Sequence, residues 1–290
     1  MNQIHLSVAD HLVAIQGAPL VEAVDRLDGF RVFRADHPEQ PALATFQYAD
    51  LSLCPALETL YYQNEIDGFS HDFGRYAQGY IYESVSPEGE VFRLWKPDAE
   101  HVVYLGGAMI LRVVRFALWL AYGLSTAAHD TIALHTSCIV WGNRAIVFLG
   151  ESGTGKSTHT RLWREHIAGA HLLNDDSPIL RYIDGKVWMY GSPWSGKTPC
   201  YHTERYELAG CVRLSQAPYN KIRRLSTLQA YGALHPSCPP DFAYDDQLYD
   251  HISHTLGQVI RHTPVFHLEC LPDEAAARLS FSTIFPDGRA

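Results

Sequence analysis

The chain has 290 residues, 47% of them hydrophobic and 19% charged, with a formal net charge of −9. Ordinary apolar content excludes disordered and collagen-like chains, and the acidic balance excludes a broad nucleic-acid footprint, which needs surplus Lys and Arg. A small basic pocket for phosphate stays open, because net charge says nothing about local clusters. The length suits one large unit or two packed ones. Six cysteines occur with no CxxC pair, so they read as reduced thiols, mostly in the core. The opening stretch MNQIHLSVADHLVAIQG lacks the basic-then-apolar pattern of a secretory signal. A cytoplasmic protein is expected.

The first hundred residues read as strands and turns. Leu20–Leu27 and Leu51–Asn64 fit short helices or strands, and periodicity does not choose between them. Residues 76–96 read as a hairpin: alternation at Tyr80, Tyr82 and Ser84, a turn at Pro87-Glu88-Gly89, then Val91, Arg93 and Trp95 at period two. A long helix is predicted over 105–124. It is nearly long enough to span a membrane, but Arg112 and Arg115 stand near its middle, and each costs about 2.5–3.5 kcal/mol on insertion scales. Ile110, Val113, Val114, Ala117, Leu118 and Ala121 recur at helical spacing, so a buried amphipathic helix is expected and no membrane contact. Ser125–Asp130 then marks a boundary between a β-rich unit over 1–125 and a second domain over 126–290.

Past the boundary, Thr131–Val140 and Arg144–Leu149 are apolar runs joined by Trp141-Gly142-Asn143, a tight-turn signal. Helix is predicted at Thr158–Ile167, Asp246–Arg261 and Asp273–Leu279, and strand at His171–Leu173, Ile179–Ile183, Lys186–Tyr190 and Val265–Leu268. Strands mixed with helices give an α/β or α+β layer architecture.

The sharpest signal is Gly150-Glu151-Ser152-Gly153-Thr154-Gly155-Lys156-Ser157, a complete GxxxxGK[ST] phosphate loop set between an apolar strand and a helix. Its glycines let successive N–H groups turn inward around a phosphate chain, and the helix that follows directs its positive end at the same anion. Lys156 is placed to neutralise β- and γ-phosphates and the Ser157 hydroxyl to ligand Mg²⁺, with Thr158 continuing the nucleotide-facing stretch. About twenty residues on, Leu172-Leu173-Asn174-Asp175-Asp176 is an apolar strand ending in two acids. Beside the loop strand, these emerge at the sheet edge where ligands of open α/β sheets bind. One acid can hold Mg²⁺ and the other accept the proton of an attacking hydroxyl. His135, in a strand-like run ahead of the loop, is a candidate for metal ligation or γ-phosphate contact. His159, His166, His171 and His202 show no HExxH-type spacing and read as ordinary core or surface residues.

The order His-x-Ser, strand, GESGTGKS, helix and L-x-N-D-D resembles the catalytic domain of bacterial HPr kinase/phosphorylase. It is also similar to the nucleotide site of ATP-dependent phosphoenolpyruvate carboxykinase. The resemblance covers residues 131–200 well and 200–285 loosely. It implies a phosphate-loop core of that α/β (α+β) type preceded by a smaller β-rich domain. It also implies ATP and Mg²⁺ as cofactors, Lys156 on phosphate, and Ser157 and Asp176 on metal. Asp175 and Asp176 match the paired acids, one as base and the other as metal ligand, and His135 the histidine beside the γ-phosphate. Gly191-Ser-Pro-Trp-Ser-Gly-Lys197-Thr resembles the substrate-side loop, which makes Lys197 and Arg205 candidates for neutralising acceptor phosphate. The activity implied is transfer of the γ-phosphate of ATP to a hydroxyl of a protein, peptide or small molecule. Carboxykinase chemistry and a catalytically silent nucleotide-binding regulator are the alternatives. A homo-oligomer is implied as well.

Overall fold

The computed structural model describes residues 2–196 and 198–288; Lys197 lies outside the described residues. The chain divides into two compact units, residues 1–126 with 241–246, and residues 127–240 with 247–290. Each is mixed helix and sheet.

The first unit contains β1 (Gln3–Val8), β2 (His11–Gln16), α1 (Ala18–Asp25), β3 (Ala44–Tyr48), β4 (Thr59–Ile66), β5 (Phe69–Tyr76), β6 (Gly79–Val85), β7 (Val91–Pro97), β8 (Val102–Gly107) and α2 (Leu111–Thr126). Among the described residues its sheet has eight strands in the order β1-β2-β3-β8-β7-β6-β5-β4. β3 lies parallel to both β2 and β8, while β4 to β8 form an antiparallel meander. The hairpin expected at 76–96 is β6 and β7. The ambiguous stretch at 20–27 is helical, and the one at 51–64 is a helical turn leading into β4.

The long helix starts later than its apolar run suggests. Residues 102–107 are the strand β8, with Val103, Leu105 and Gly106 buried, and a short apolar run cannot distinguish such a strand from helix. Within β8, Gly106 packs so closely that a Cβ would stand 2.2 Å from the Ala49 carbonyl oxygen. α2 buries Val114, Ala117, Leu118 and Ala121. Its arginines are held by neighbours: the Arg112 guanidinium lies 3.5 Å from the Phe69 ring centre, and Arg115 donates to the Asp28 carbonyl. No helix among the described residues is long and apolar enough to cross a membrane.

The second unit contains β9 (Thr131–Ala133), β10 (Ser137–Trp141), β11 (Arg144–Leu149), α3 (Lys156–His166), β12 (His171–Asn174), β13 (Ile179–Ile183), β14 (Lys186–Tyr190), β15 (Arg205–Gln216), β16 (Lys221–Arg224), α4 (Thr227–Leu234), α5 (Asp246–His262), β17 (Val265–Cys270) and α6 (Glu274–Ile284). The strands run β12-β10-β11-β15-β14-β13-β9, with β17 also on β15 and β16 on β17. β11, β15 and β17 are mutually parallel. β12 and β11 are each antiparallel to β10, which gives β12 the direction of β11. Asn174, Leu149, Gln216 and Cys270 therefore all end strands that point to one edge. β11 is buried from Ala145 to Leu149, as a central strand covered on both faces must be.

On one face, Ile146, Phe148, Val212 and Leu268 pack with Leu162 and Trp163 of α3 and Ala277 of α6. Full burial of one such large side chain contributes roughly 1.5–3 kcal/mol, so the strand preceding the glycine loop and the helix after it are fastened through one core. The run expected as one strand over 131–140 is broken at 134–136. The break lets His135 leave the sheet.

Candidate active site

The loop from Gly150 to Gly155 joins β11 to α3, whose first helical residue is Lys156. Gly153 and Gly155 have φ of +81° and +110°, a region that L side chains avoid. A Cβ on either would meet nothing within 4 Å, so conformation and not space demands glycine there. The backbone curls on itself: Thr154 donates its N–H and its hydroxyl to the Glu151 carbonyl.

Lys156 is buried, and its Nζ donates to the carbonyls of Gly150 at 2.7 Å and Glu151 at 3.3 Å. Burial pulls its pKa below the ordinary lysine value, and the carboxylate of Asp176 opposes that pull. On the same Nζ, at 3.4 Å, stands His135 Nε2. The other ring nitrogen, Nδ1, lies 3.3 Å from Asp176 Oδ1. Lysine, imidazole and carboxylate thus form one continuous line at the mouth of the loop. The His135 and Asp176 side chains are 53% and 40% exposed, so the line opens to an incoming molecule.

The two acids differ sharply. Asp175 is 9% exposed, and both of its oxygens are engaged: Oδ1 accepts from the Ser195 hydroxyl and the Gly196 N–H, and Oδ2 from the Thr198 N–H. Gly196 approaches so closely that a Cβ would stand 3.2 Å from Asp176 Cβ and 3.3 Å from Asp175 Oδ1. Asp175 therefore pins Ser195, Gly196 and Thr198 against the acids, while Asp176 faces outward toward His135. Adjacent residues leaving a strand point to opposite sides, which accounts for the split.

Asn174, fully buried, builds the turn that presents Asp176. Its side-chain oxygen accepts from the N–H groups of Asp176 and Ser177, and its amide nitrogen donates to Ser192 Oγ and the Trp194 carbonyl. The histidine segment is fixed to the same turn, because Thr136 donates its N–H to the Asp176 carbonyl and its hydroxyl to that of Phe148. Reading the sequence singled out the acids but gave Asn174 no role. The L-L-N-D-D run carries the signal, since Asn before a turn forms this Asx geometry.

The structure does not bring Arg205 to this place. Arg205 opens β15, whereas Leu149, the residue before the loop, pairs with Arg213 far along the same strand. The two arginines are roughly 25 Å apart at the usual rise of a strand. Arg205 instead lies over the Trp188 ring and donates to the Tyr190 hydroxyl. The arginine beside the loop is Arg213, with Nη2 3.8 Å from Glu151 Oε1 and Nη1 donating to the Ala233 carbonyl. Only the parallel pairing of β11 with β15 reveals it.

Ser157 is exposed in the first turn of α3 and Thr158 half-buried behind it. Among the described residues there is no group of three His, Cys, Asp or Glu side chains that could hold a metal ion. The Ser157 hydroxyl and Asp176 carboxylate are hard oxygen donors, the set that suits Mg²⁺ completed by phosphate and water. His159, on α3, is a core residue: Nε2 bonds the Ser280 hydroxyl at 3.0 Å, and burial pushes its pKa down to about 4.

No family model matches the chain, and no curated protein matches it. Among solved structures it is similar to the Hpr(Ser) kinase/phosphatase from Coxiella burnetii. That likeness has 13% identity and a TM-score of 0.32, over 54% of this chain and 90% of that one. At that score it is too loose to establish fold or activity.

Proposed function

We propose that the protein is a nucleotide-dependent phosphotransferase that moves the γ-phosphate of ATP to a hydroxyl acceptor. The observation that carries this reading is the line Lys156–His135–Asp176 at the mouth of the GESGTGKS loop. Amides of residues 150–155 and the start of α3 hold the phosphate chain. Lys156, released from the Gly150 and Glu151 carbonyls, neutralises charge spreading over the transferred group. The acceptor hydroxyl approaches from the open side. Its proton passes to the Asp176–His135 pair as its oxygen bonds phosphorus, and the bond from phosphorus to the bridging oxygen breaks to leave the nucleoside diphosphate. Ser157 and Asp176 would hold Mg²⁺, which when bound offsets phosphate charge and orients the chain for in-line attack. Asp175 and Asn174 position these groups and do not react.

The reading is tested by incubating the full chain with radiolabelled ATP, Mg²⁺ and a panel of serine-containing peptides, free hydroxy amino acids and polyols. Label is expected in at least one acceptor and is cut at least about a hundredfold with Asp176→Asn. Label in inorganic phosphate alone, at the same rate in wild type and Asp176→Asn, overturns it.

A further inference from the structure

Beside the phosphate loop, away from the lysine–histidine–aspartate line, the second unit has a cavity of about 590 Å³, within the ~300–1,000 Å³ range of small-molecule sites. One wall is the loop backbone from Gly153 to Gly155 and the other is built by the residues that follow the parallel strands β15 and β17. Its apolar lining is Leu162 of α3, Ala217, Cys270, Leu271 and Pro272, beside the hydroxyl-bearing Thr154 and Thr158: a mixed wall of the kind that takes a ring with polar edges. At the rim, Gln216 donates its side-chain amide to the Gly153 carbonyl at 3.3 Å. That bond sets the orientation of the amide, with the nitrogen on the loop side and the carbonyl oxygen turned away from it as the acceptor for a ligand to meet.

We infer that this cavity holds the nucleoside end of the nucleotide, the base lying among Leu162, Ala217, Leu271 and Pro272 and its exocyclic amino group meeting Gln216. The inference rests on the phosphate-loop reading and extends it to the far end of the same ligand. The continuity is geometric: the loop separates two openings, one toward Asp176 and one toward Gln216. A triphosphate lying along the loop with its reacting end at the first therefore directs its other end to the second. An acceptor oxygen at the rim favours a 6-amino purine such as adenine. Guanine turns a carbonyl oxygen to the corresponding position, and two acceptors repel. Gln216 is thus a specificity-determining residue, tied to the loop whose ligand it reads.

Binding of ATP, GTP and inorganic tripolyphosphate to the full chain, measured by titration calorimetry, tests this. Wild type is expected to bind tripolyphosphate and to prefer ATP over GTP about tenfold. Ala217→Trp and, separately, Leu271→Trp fill the cavity; each should weaken ATP at least tenfold while leaving tripolyphosphate within twofold. Gln216→Leu should bring ATP and GTP within twofold of each other. ATP affinity unchanged in both tryptophan variants, equal loss of ATP and tripolyphosphate in both, or no ATP preference in wild type overturns the assignment while leaving the phosphate loop standing. Wild type that binds neither ATP nor tripolyphosphate removes the phosphate-loop reading itself.

Discussion

The two sheets put their charged groups to different uses. In the first unit most strands run antiparallel, so turns fall at both ends and polar side chains meet partners across the ladder. Arg93 bonds Glu83 at 2.5 Å and Gln63 donates to Asp72 from neighbouring strands, while Arg75 of β5 pairs with Asp98 and Asp245, which lie outside the strands. In the second unit β11, β15 and β17 run parallel, so the loops that follow them gather at one edge, together with the positive end of α3. Lys156, His135, Asp176 and Arg213 collect there. A meander distributes charge into pairs, whereas a parallel core concentrates it at one rim.

The contrast is broken most forcefully by removing charge from that rim. Lys156→Met is expected to cut phosphoryl transfer by roughly 10²–10³, and Asp176→Asn by about 10²–10⁴. Both are read from initial rates of product formation at saturating ATP. Arg93→Met, the same kind of change in the first unit, should leave the rate within twofold and shift unfolding by at most about 1 kcal/mol.

Next in size is an opposition in pH dependence. His159 is held near pKa 4 by burial, below its ordinary 6.5, so the unfolded chain binds the proton more readily. The neutral histidine's contribution is full above pH 6.5 and fades as pH falls toward 4. Asp241 in the first unit is pushed up to about 6 by burial, above its ordinary 3.8. Its contribution is full below 3.8 and fades as pH rises through 6. Each amounts to about 3 kcal/mol. Relative to wild type, denaturant midpoints of His159→Gln should improve as pH falls from 6.5 to 4, and those of Asp241→Asn as pH rises from 4 to 6. The same trend in both variants would contradict this.

The finest discrimination lies between the two neighbouring acids. Asp175→Asn retains the shape but turns a donor toward the N–H of either Gly196 or Thr198, which bond different oxygens of the native carboxylate. It should cost about 1–3 kcal/mol of stability and slow transfer less than Asp176→Asn does. Thermal melts and rates measured on both variants check the order.

The local geometry of the candidate site was legible in the sequence. The glycine spacing, the apolar Ala145–Leu149 run and the L-L-N-D-D stretch each depend on neighbours in the chain, and the structure places residues 150–157, His135 and Asp176 together. What the sequence hid is non-local. The capture of Asp175 by Ser195, Gly196 and Thr198 and the arrival of Arg213 beside Leu149 depend on strand register and on groups that return from about twenty residues away. Gln216 joins the loop through a single long-range hydrogen bond. The same limit explains the helix predicted from residue 105: an apolar run of four residues satisfies either periodicity, and the close approach of Gly106 to Ala49 that settles it comes from a different strand connection.

The central claim is that a metal–triphosphate sits between the glycine loop and Asp176. The direct measurement supplies iron(II) with ATP in place of Mg²⁺ and maps peroxide-driven backbone cuts along the chain. Cuts at both 150–157 and 174–176, suppressed by excess MgATP, are the expected result. Cuts at the loop without the acids, or at neither, would contradict the account.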